Sequence, residues 1–211
     1  FLYWTPLVTR LPNPEGKGAI TMLDLLINSL RMRPDRIILG EMRKKDQASV
    51  LFEAMHTGHS VYATVHADSI AETIDRLINP PIEVPRNLLT GVHLNVVMFR
   101  DRRRGIRRVF QVGEFLPTLE EGTPSVKPNI LYRWKPGTDE IVEHTSSVRI
   151  FEELSRHTGL TLPQIEKDML QKQKILEWMV ANNIRHVDAV GEMIRSYYLD
   201  PDLVLSKIGG V

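Results

Sequence analysis

Two stretches of the sequence place a reactive side chain directly after an apolar run. The first run, residues 36–40, is short and typical of a strand buried on both faces, and Glu41 follows it. A carboxylate at the carboxyl end of a parallel strand lies where open α/β sheets bind ligands. There it can polarise an attacking water or help to hold Mg²⁺. A solvated strand-end acid without any function explains the same pattern, so both interpretations stay open.

The second stretch ends in a histidine. Residues 57–59 read Thr-Gly-His, the run 61–65 is strand-like, and His66 follows it. A neutral imidazole can donate a hydrogen bond, and a charged one can stabilise developing negative charge. If the two strands are neighbours, Glu41 and His66 can be aimed at one phosphate. A structural histidine is the alternative.

A metal cluster is a further interpretation of the histidines. His56, His59 and His66 are three and seven residues apart, across a helix end and a strand, and this spacing fits no compact zinc motif. We therefore expect no metal held by a cluster of protein ligands.

Helix and strand patterns alternate through the first block of the chain, residues 1–98. The predicted helix starts are Thr21 with Asp24 in its first turn, Asp46, and Ser69 in a capping box with Glu72. The predicted helix ends are 33–35, Gly58 and 80–81. This alternation predicts an α/β fold, with a parallel sheet and helices packed on it.

The remaining chain changes character twice. Strands paired as antiparallel hairpins are predicted at 92–99, 106–115, 129–134 and 140–145. Three prolines in residues 117–128 indicate a loop. The last block is helical, with helices predicted at about 162–182, 187–198 and 201–208. We therefore expect three segments, at 1–98, 99–146 and 147–211.

Composition adds limits but no chemistry. The 211 residues are 42% hydrophobic and 25% charged, as in ordinary globular proteins. The absence of cysteine excludes disulfides and thiolate metal sites, and a net charge of +1 gives no general attraction to nucleic acid. No run approaches the roughly 20 apolar residues of a membrane span. The first residues lack the features of a signal peptide and read as the middle of a protein.

Both motifs resemble those of one family. Residues 33–43 resemble the Walker B segment of type II/type IV secretion, pilus and archaellum assembly ATPases, and residues 57–67 resemble their histidine box. Residues 4–10 are similar to the segment that follows the family's aspartate box. The hairpins and helical tail look most like the archaeal branch. The resemblance implies the C-terminal part of a RecA-like P-loop NTPase core, followed by hairpins and a helical subdomain.

The resemblance also implies roles for individual residues. Glu41 would position the attacking water and His66 would contact the γ-phosphate. Arg10 and Arg31 match arginines that reach the nucleotide of a neighbouring subunit, although a cation at a helix C-terminus explains Arg31 equally well. The other residues of the matched motifs are Gly40, Arg43, Gly58, His59 and Thr64.

The function implied is that of a homo-hexameric motor that hydrolyses ATP with Mg²⁺. Its partner would be a polytopic membrane platform protein, and its location cytoplasmic, peripheral on the inner face of the cytoplasmic membrane. No Gly-x-x-x-x-Gly-Lys-[Ser/Thr] loop is present, and residues 14–18 have its lysine without its leading glycine or spacing. We therefore expect a fragment that binds ATP poorly. A non-hydrolytic scaffold subunit and a conjugation-type DNA-handling ATPase are the alternatives.

One basic cluster remains outside these motifs. Its members are Arg100, Arg102, Arg103, Arg104, Arg107 and Arg108. Only Phe99 and Phe110 flank it, which falls short of the aromatic platform of a nucleic-acid site, so we expect no nucleic-acid partner. A solvated hairpin turn explains the cluster, and so does contact with an acidic surface on a neighbouring subunit or on the platform.

Overall fold

The computed structural model describes residues 4–120 and 122–209, a mixed α/β chain that divides into two compact units. The first unit is Pro6–Ile150, and the helices from Phe151 onward belong to the second. The segment boundaries predicted at 98/99 and 146/147 stay predictions.

The first unit begins with alternating helices and strands. In chain order they are α1 (Met22–Arg31), β1 (Arg36–Leu39), α2 (Lys45–His56), β2 (Ser60–Ala63), α3 (Ile70–Ile78) and a 3₁₀ helix (Arg86–Gly91). Thr21 caps α1 as predicted. Its hydroxyl accepts from the Asp24 amide at 3.1 Å, and the Asp24 carboxylate accepts from the Thr21 amide at 2.9 Å.

Two of the predicted helix starts need correction in detail. The N-cap of α2 is Lys44, and Asp46 lies inside the first turn, where the helix dipole favours a carboxylate. At α3, the Ser69 hydroxyl accepts from the Glu72 amide as predicted, at 3.1 Å. The Glu72 carboxylate, however, accepts from the Asp68 amide at 2.7 Å, so the reciprocal bond is shifted by one residue.

The two short strands pair in parallel, which confirms the predicted direction. Ile37 lies opposite Val61, and Ile38 opposite Tyr62. The prediction that β1 is buried on both faces is wrong: Ile37 and Leu39 are buried, while Ile38 is 58% exposed and Tyr62 57%. Helix α2 packs with the face of Ile37 and Leu39, whereas no described residue covers the other face.

A four-stranded antiparallel sheet follows, in the order β3 (Asn95–Asp101), β4 (Ile106–Glu120), β5 (Thr123–Lys135), β6 (Glu140–Glu143). The loop predicted at 117–128 is wrong, because β4 and β5 stay paired up to Glu120 opposite Thr123. Pairing with β3 ends at Gly113, and pairing with β6 begins only at Tyr132. In this stretch β4 and β5 pair with each other but not with β3 or β6. The prolines therefore lie in a two-stranded ribbon, where an N–H that points away from the partner strand is not needed for pairing.

The arginine cluster surrounds the turn between β3 and β4. The Asp101 carboxylate accepts from the amides of Arg103 and Arg104, at 2.8 and 3.2 Å, and so shapes this turn. Arg108 lies further along β4 and holds Asp139, in the turn between β5 and β6, through two hydrogen bonds of 2.7 and 2.6 Å. The Trp134 indole donates to the same carboxylate at 2.8 Å.

We expect Asp139 to make the stability of the fold depend on pH. The hydrogen bonds from Arg108, and then that from Trp134, lower the pKa of Asp139 from 3.8 to about 2. Because the folded-state pKa is depressed, these bonds stabilise the fold fully above about pH 4, and their contribution is lost as the pH falls toward 2. The difference in melting temperature between wild type and Asp139→Asn should thus stay constant from pH 7 to about 4 and shrink below. If the difference in melting temperature is already lost near pH 5, the lowered pKa of Asp139 is contradicted.

One core joins both sheets of the first unit. Phe52 of α2, Ile70 of α3 and Leu89 of the 3₁₀ helix are fully buried beside Phe115 of β4. Val97 and Val126 of the antiparallel sheet belong to the same cluster. Because the helices that follow β1 and β2 share this core, the ends of both strands have a packed support.

The second unit is helical, with α4 (Ile150–Thr158) leading into it and then α5 (Leu162–Ala181), α6 (Val187–Leu199) and α7 (Pro201–Gly209). Thr161 and Gln164 form a capping box at the start of α5. A small core contains Ile175, Met179, Tyr197 and Val204. Within residues 4–120 and 122–209, no helix combines the length and apolar character needed to cross a membrane.

Candidate functional site

The pairing of β1 with β2 continues past the ends of both strands. The Thr64 hydroxyl donates to the Gly40 carbonyl, and the Met42 amide donates to the Thr64 carbonyl at 2.9 Å. These bonds bring the next side chains together, with His66 Nε2 3.2 Å from Glu41 Oε1. The predicted adjacency of Glu41 and His66 is confirmed, while their catalytic roles stay predictions.

Arg43 occupies the other side of the same carboxylate. Its Nη2 lies 2.5 Å from Glu41 Oε2, and its backbone amide donates to Gln47 of α2 at 3.2 Å. Both carboxylate oxygens of Glu41 therefore face a basic side chain. The hydrogen bond from Arg43 is the main cause that lowers the pKa of Glu41. Burial opposes it, and the nearby charges of Arg43, His66 and Arg76 add to the lowering.

Glu41 and His66 line a cavity of about 230 Å³. The polar part of its lining is completed by Arg43 and Arg76, and the apolar part is Met42, Val65, Pro81 and Ile82. Arg76 was not among the residues predicted from the sequence. A cation in the last turn of a helix is ordinary, so no local pattern distinguishes it, and only the packing of α3 brings it to Glu41.

The remaining predicted residues lie outside this cavity. Gly58 ends α2 with a φ of +95°, a conformation that favours glycine, and the His59 ring lies 3.4 Å from the Thr57 hydroxyl. Arg10 bridges to Ile20 and donates through Nε to the Gly18 carbonyl at 2.7 Å. Arg31 lies in the last turn of α1. The predicted reach of Arg10 and Arg31 to a neighbouring subunit stays a prediction.

The cavity suits a small anion better than a whole nucleotide. Three basic side chains surround one carboxylate, which favours a negatively charged ligand. A volume of about 230 Å³ is smaller than the roughly 300–1,000 Å³ of pockets for larger ligands. A phosphate group is therefore the best-matched ligand.

The ligands for a metal ion at this site are few. Within the described residues, no group of three or more histidines, cysteines or acids is placed to hold a metal. Mg²⁺ is commonly held by one or two carboxylates together with substrate phosphates. Glu41 supplies one such carboxylate, so the site fits Mg²⁺ only as part of a complex with phosphate.

Removing the Arg43 guanidinium should raise the pKa of Glu41. In Arg43→Gln the strongest hydrogen bond to the carboxylate is weakened and its nearest full charge is gone, so the pKa should move back toward the ordinary glutamate value of 4.5. A ¹³C NMR titration of the Glu41 side-chain carboxyl measures this directly. Arg33→Gln, at an exposed arginine that does not line the cavity, is the control. An unchanged Glu41 titration in Arg43→Gln would show that the ion pair is not formed in solution.

Known proteins that are similar to this chain include secretion and pilus proteins. Residues 5–99 match the family model described as "Type II/IV secretion system protein". The chain is 34% identical over 202 residues to the uncharacterized protein MJ0900 of Methanocaldococcus jannaschii, covering 92% of this chain and 36% of that protein. It is 46% identical over 66 residues to the type IV pilus assembly ATPase PilB of Pseudomonas aeruginosa, covering 31% of this chain and 11% of PilB.

A third relative is the putative conjugal transfer protein MT3759 of Mycobacterium tuberculosis, which is 44% identical over 72 residues, with 34% of this chain and 20% of that protein covered. The chain thus spans about a third of the length of MJ0900 and smaller shares of the other two. Over residues 5–99 the chain thus matches the type II/IV secretion system family, and its similarity to PilB and to MJ0900 agrees with that family and with the predicted archaeal branch.

Proposed function

We propose that this chain is the C-terminal half of an ATP-hydrolysing hexameric motor that powers protein secretion or the assembly of a pilus- or archaellum-like filament. The observation that carries the proposal is the pairing of Glu41 with His66 at the carboxyl ends of two parallel strands, in a basic cavity of phosphate size. Similarity to a family that includes an assembly ATPase supports it.

In this proposal each polar residue of the cavity has its own role in ATP hydrolysis. Glu41 orients the attacking water through its carboxylate, which accepts a hydrogen bond from that water. His66 contacts the terminal phosphate and stabilises the charge that develops there. Mg²⁺ bound with ATP supplies further neutralisation of the phosphate oxygens. Arg43 holds Glu41 in place from the opposite side.

The proposal also includes parts of the protein and of its assembly that lie outside the described residues. The core would be RecA-like, with the Walker A loop supplied by a preceding half of the protein, and the share of MJ0900 that the chain spans is compatible with this. Arg10 and Arg31 would reach the nucleotide of the next subunit and so couple hydrolysis to ring assembly. The ring would act from the cytoplasm on a polytopic membrane platform protein.

The test of the proposal is ATP turnover by the whole protein, with its oligomeric state measured by native mass spectrometry in the presence of ATP and Mg²⁺. We expect hydrolysis and a hexamer. Assembly into a ring without hydrolysis would favour the scaffold subunit instead.

A conjugation-type DNA-handling ATPase is the second candidate, supported by the similarity to a putative conjugal transfer protein. It predicts DNA binding by the whole protein that weakens steeply as salt is raised. DNA binding with such a salt dependence would move this candidate ahead of the secretion motor.

A further inference from the structure

Arg76 is the basic group of the cavity that the carboxylate leaves free. Arg43 and His66 each lie within ion-pair distance of Glu41, at 2.5 and 3.2 Å. For Arg76, no hydrogen bond and no ion pair within 4 Å occurs among residues 4–120 and 122–209. Its charge nevertheless contributes to the lowered pKa of Glu41, so the guanidinium is close to the carboxylate without being bound to it.

The helix that carries Arg76 is firmly held. On one side of α3, Ile70, Ile74 and Leu77 are buried in the core of the first unit. The first amide of the helix donates to the buried side chain of Gln111, in β4, at 3.0 Å. Arg76 therefore extends toward the cavity from a backbone that packing and a sheet contact fix in position.

The chemistry of the guanidinium matches a phosphate group. It presents several donors in one plane and binds two phosphate oxygens at once, and it stays charged at all physiological pH values. The wall beside these charged groups is apolar and is formed by Met42, Val65 and Pro81. Of the three basic groups, Arg76 alone can bind an anion without first giving up a contact to Glu41 among the described residues.

We propose that Arg76 is the phosphate-anchoring residue of this site: it binds the terminal phosphate of ATP beside His66, while Arg43 keeps its hold on Glu41. The identity of the ligand as ATP rests on the proposed function, whereas the anion site itself rests on the geometry of the cavity. The arrangement gives the two arginines different tasks, since one positions the carboxylate and the other positions the phosphate.

The first test uses this chain with inorganic pyrophosphate as the probe. Isothermal titration calorimetry or NMR should detect binding to the unaltered chain, and Arg76→Gln should weaken it about tenfold or more. Arg76→Lys, which keeps the charge and loses the planar fork, should fall between the two. The matched control is Arg36→Gln, an exposed arginine at the start of β1 that does not line the cavity.

Pyrophosphate affinities that are equal in wild type and Arg76→Gln would overturn the proposal, as would the absence of any binding at millimolar pyrophosphate. Circular dichroism of Arg76→Gln checks that the fold is kept. The side chain is exposed, so we expect no loss of structure.

The second test uses the whole protein and separates this proposal from the proposed function. If the whole protein hydrolyses ATP, Arg76→Gln should lower kcat/KM about tenfold or more, mainly through KM, because a phosphate anchor acts on bound substrate and transition state alike. Hydrolysis with an unchanged KM in Arg76→Gln would overturn the role of Arg76 and leave the motor intact. Pyrophosphate binding that depends on Arg76 in a protein without ATPase activity would leave the anion site standing and overturn the motor.

Discussion

Glu41→Gln should abolish ATP turnover by the whole protein and leave nucleotide binding measurable. A carboxylate that orients and activates water contributes about 10²–10⁴-fold to the rate, and glutamine has neither the charge nor the basicity to replace it. The substitution also removes the negative charge that lies beside Arg43 and His66, so neither side chain keeps its charged partner. Steady-state turnover and binding of a fluorescent ATP analogue, measured on the same preparation, separate loss of chemistry from loss of binding.

The matched control for Glu41→Gln is Glu120→Gln. Glu120 is likewise a glutamate paired with an arginine, Arg86, at 2.9 Å, but it is exposed, lies at the far end of β4 and does not line the cavity. Glu120→Gln should leave ATP turnover by the whole protein unchanged. If Glu41→Gln turns over like wild type, the catalytic assignment of Glu41 is wrong, and another residue must position the attacking water. The chain described here should be inactive by itself in either case, because its sequence has no Walker A loop.

The parts of the site that were predictable from the sequence depend on local signals. Thr21 with Asp24 marks a helix start through two short-range hydrogen bonds, and such signals need no knowledge of the fold. The adjacency of Glu41 and His66 follows from one further rule, that strands alternating with helices pair in parallel. Composition, periodicity and motif spacing were sufficient for this much.

The parts that were missed depend on contacts between distant segments. Prolines at 117, 124 and 128 read as a loop, because only the lengths of the neighbouring strands show that the ribbon edges are free at these positions. Arg76 enters the cavity only through the packing of α3. The exposed face of Ile38 was missed for a related reason, since an apolar run does not show which of its faces a helix covers.

Glu114 is a further position whose surroundings the sequence does not indicate. An acid in a strand is expected to face water, yet this side chain is 0% exposed. Its carboxylate accepts hydrogen bonds from the amides of Val148, Arg149 and Ile150, at 2.7, 3.1 and 3.2 Å. The side chains of Asn129 and Ser147 donate to it at 2.9 and 3.0 Å. One buried carboxylate thus holds the last residues of the first unit, at the start of α4.

The balance of forces on Glu114 keeps it ionised. Burial raises the pKa of the carboxyl, but the hydrogen bonds from Val148, Asn129, Ser147 and Arg149 outweigh burial, and the net pKa lies below the ordinary 4.5. Because the folded-state pKa is depressed, the stabilising contribution is complete above about pH 4.5 and is lost as the pH falls through the folded-state value.

Glu114→Ala should therefore lower the free energy of unfolding of the first unit by about 3–5 kcal/mol, because it removes the carboxylate that accepts from the Val148 and Arg149 amides and one of the two acceptors of the Ile150 amide, the other being the Ser147 hydroxyl. Glu114→Gln keeps one oxygen acceptor but turns an NH₂ group toward backbone donors, and should cost about 1.5–3 kcal/mol. Urea unfolding measures both changes, and Glu120→Gln on the same strand is the exposed control.

Hydrogen exchange gives the Glu114 prediction a local readout that global stability lacks. The amides of Val148, Arg149 and Ile150 should exchange much faster in Glu114→Gln, while core amides such as that of Ile74 in α3 change only by the global loss of stability. If those three amides keep their protection, the carboxylate is not what holds the segment, and the loss of stability must come from the neighbouring bonds of Arg149 to the carbonyls of Phe115 and Thr90. Equal unfolding free energies in wild type and Glu114→Gln would contradict the prediction outright.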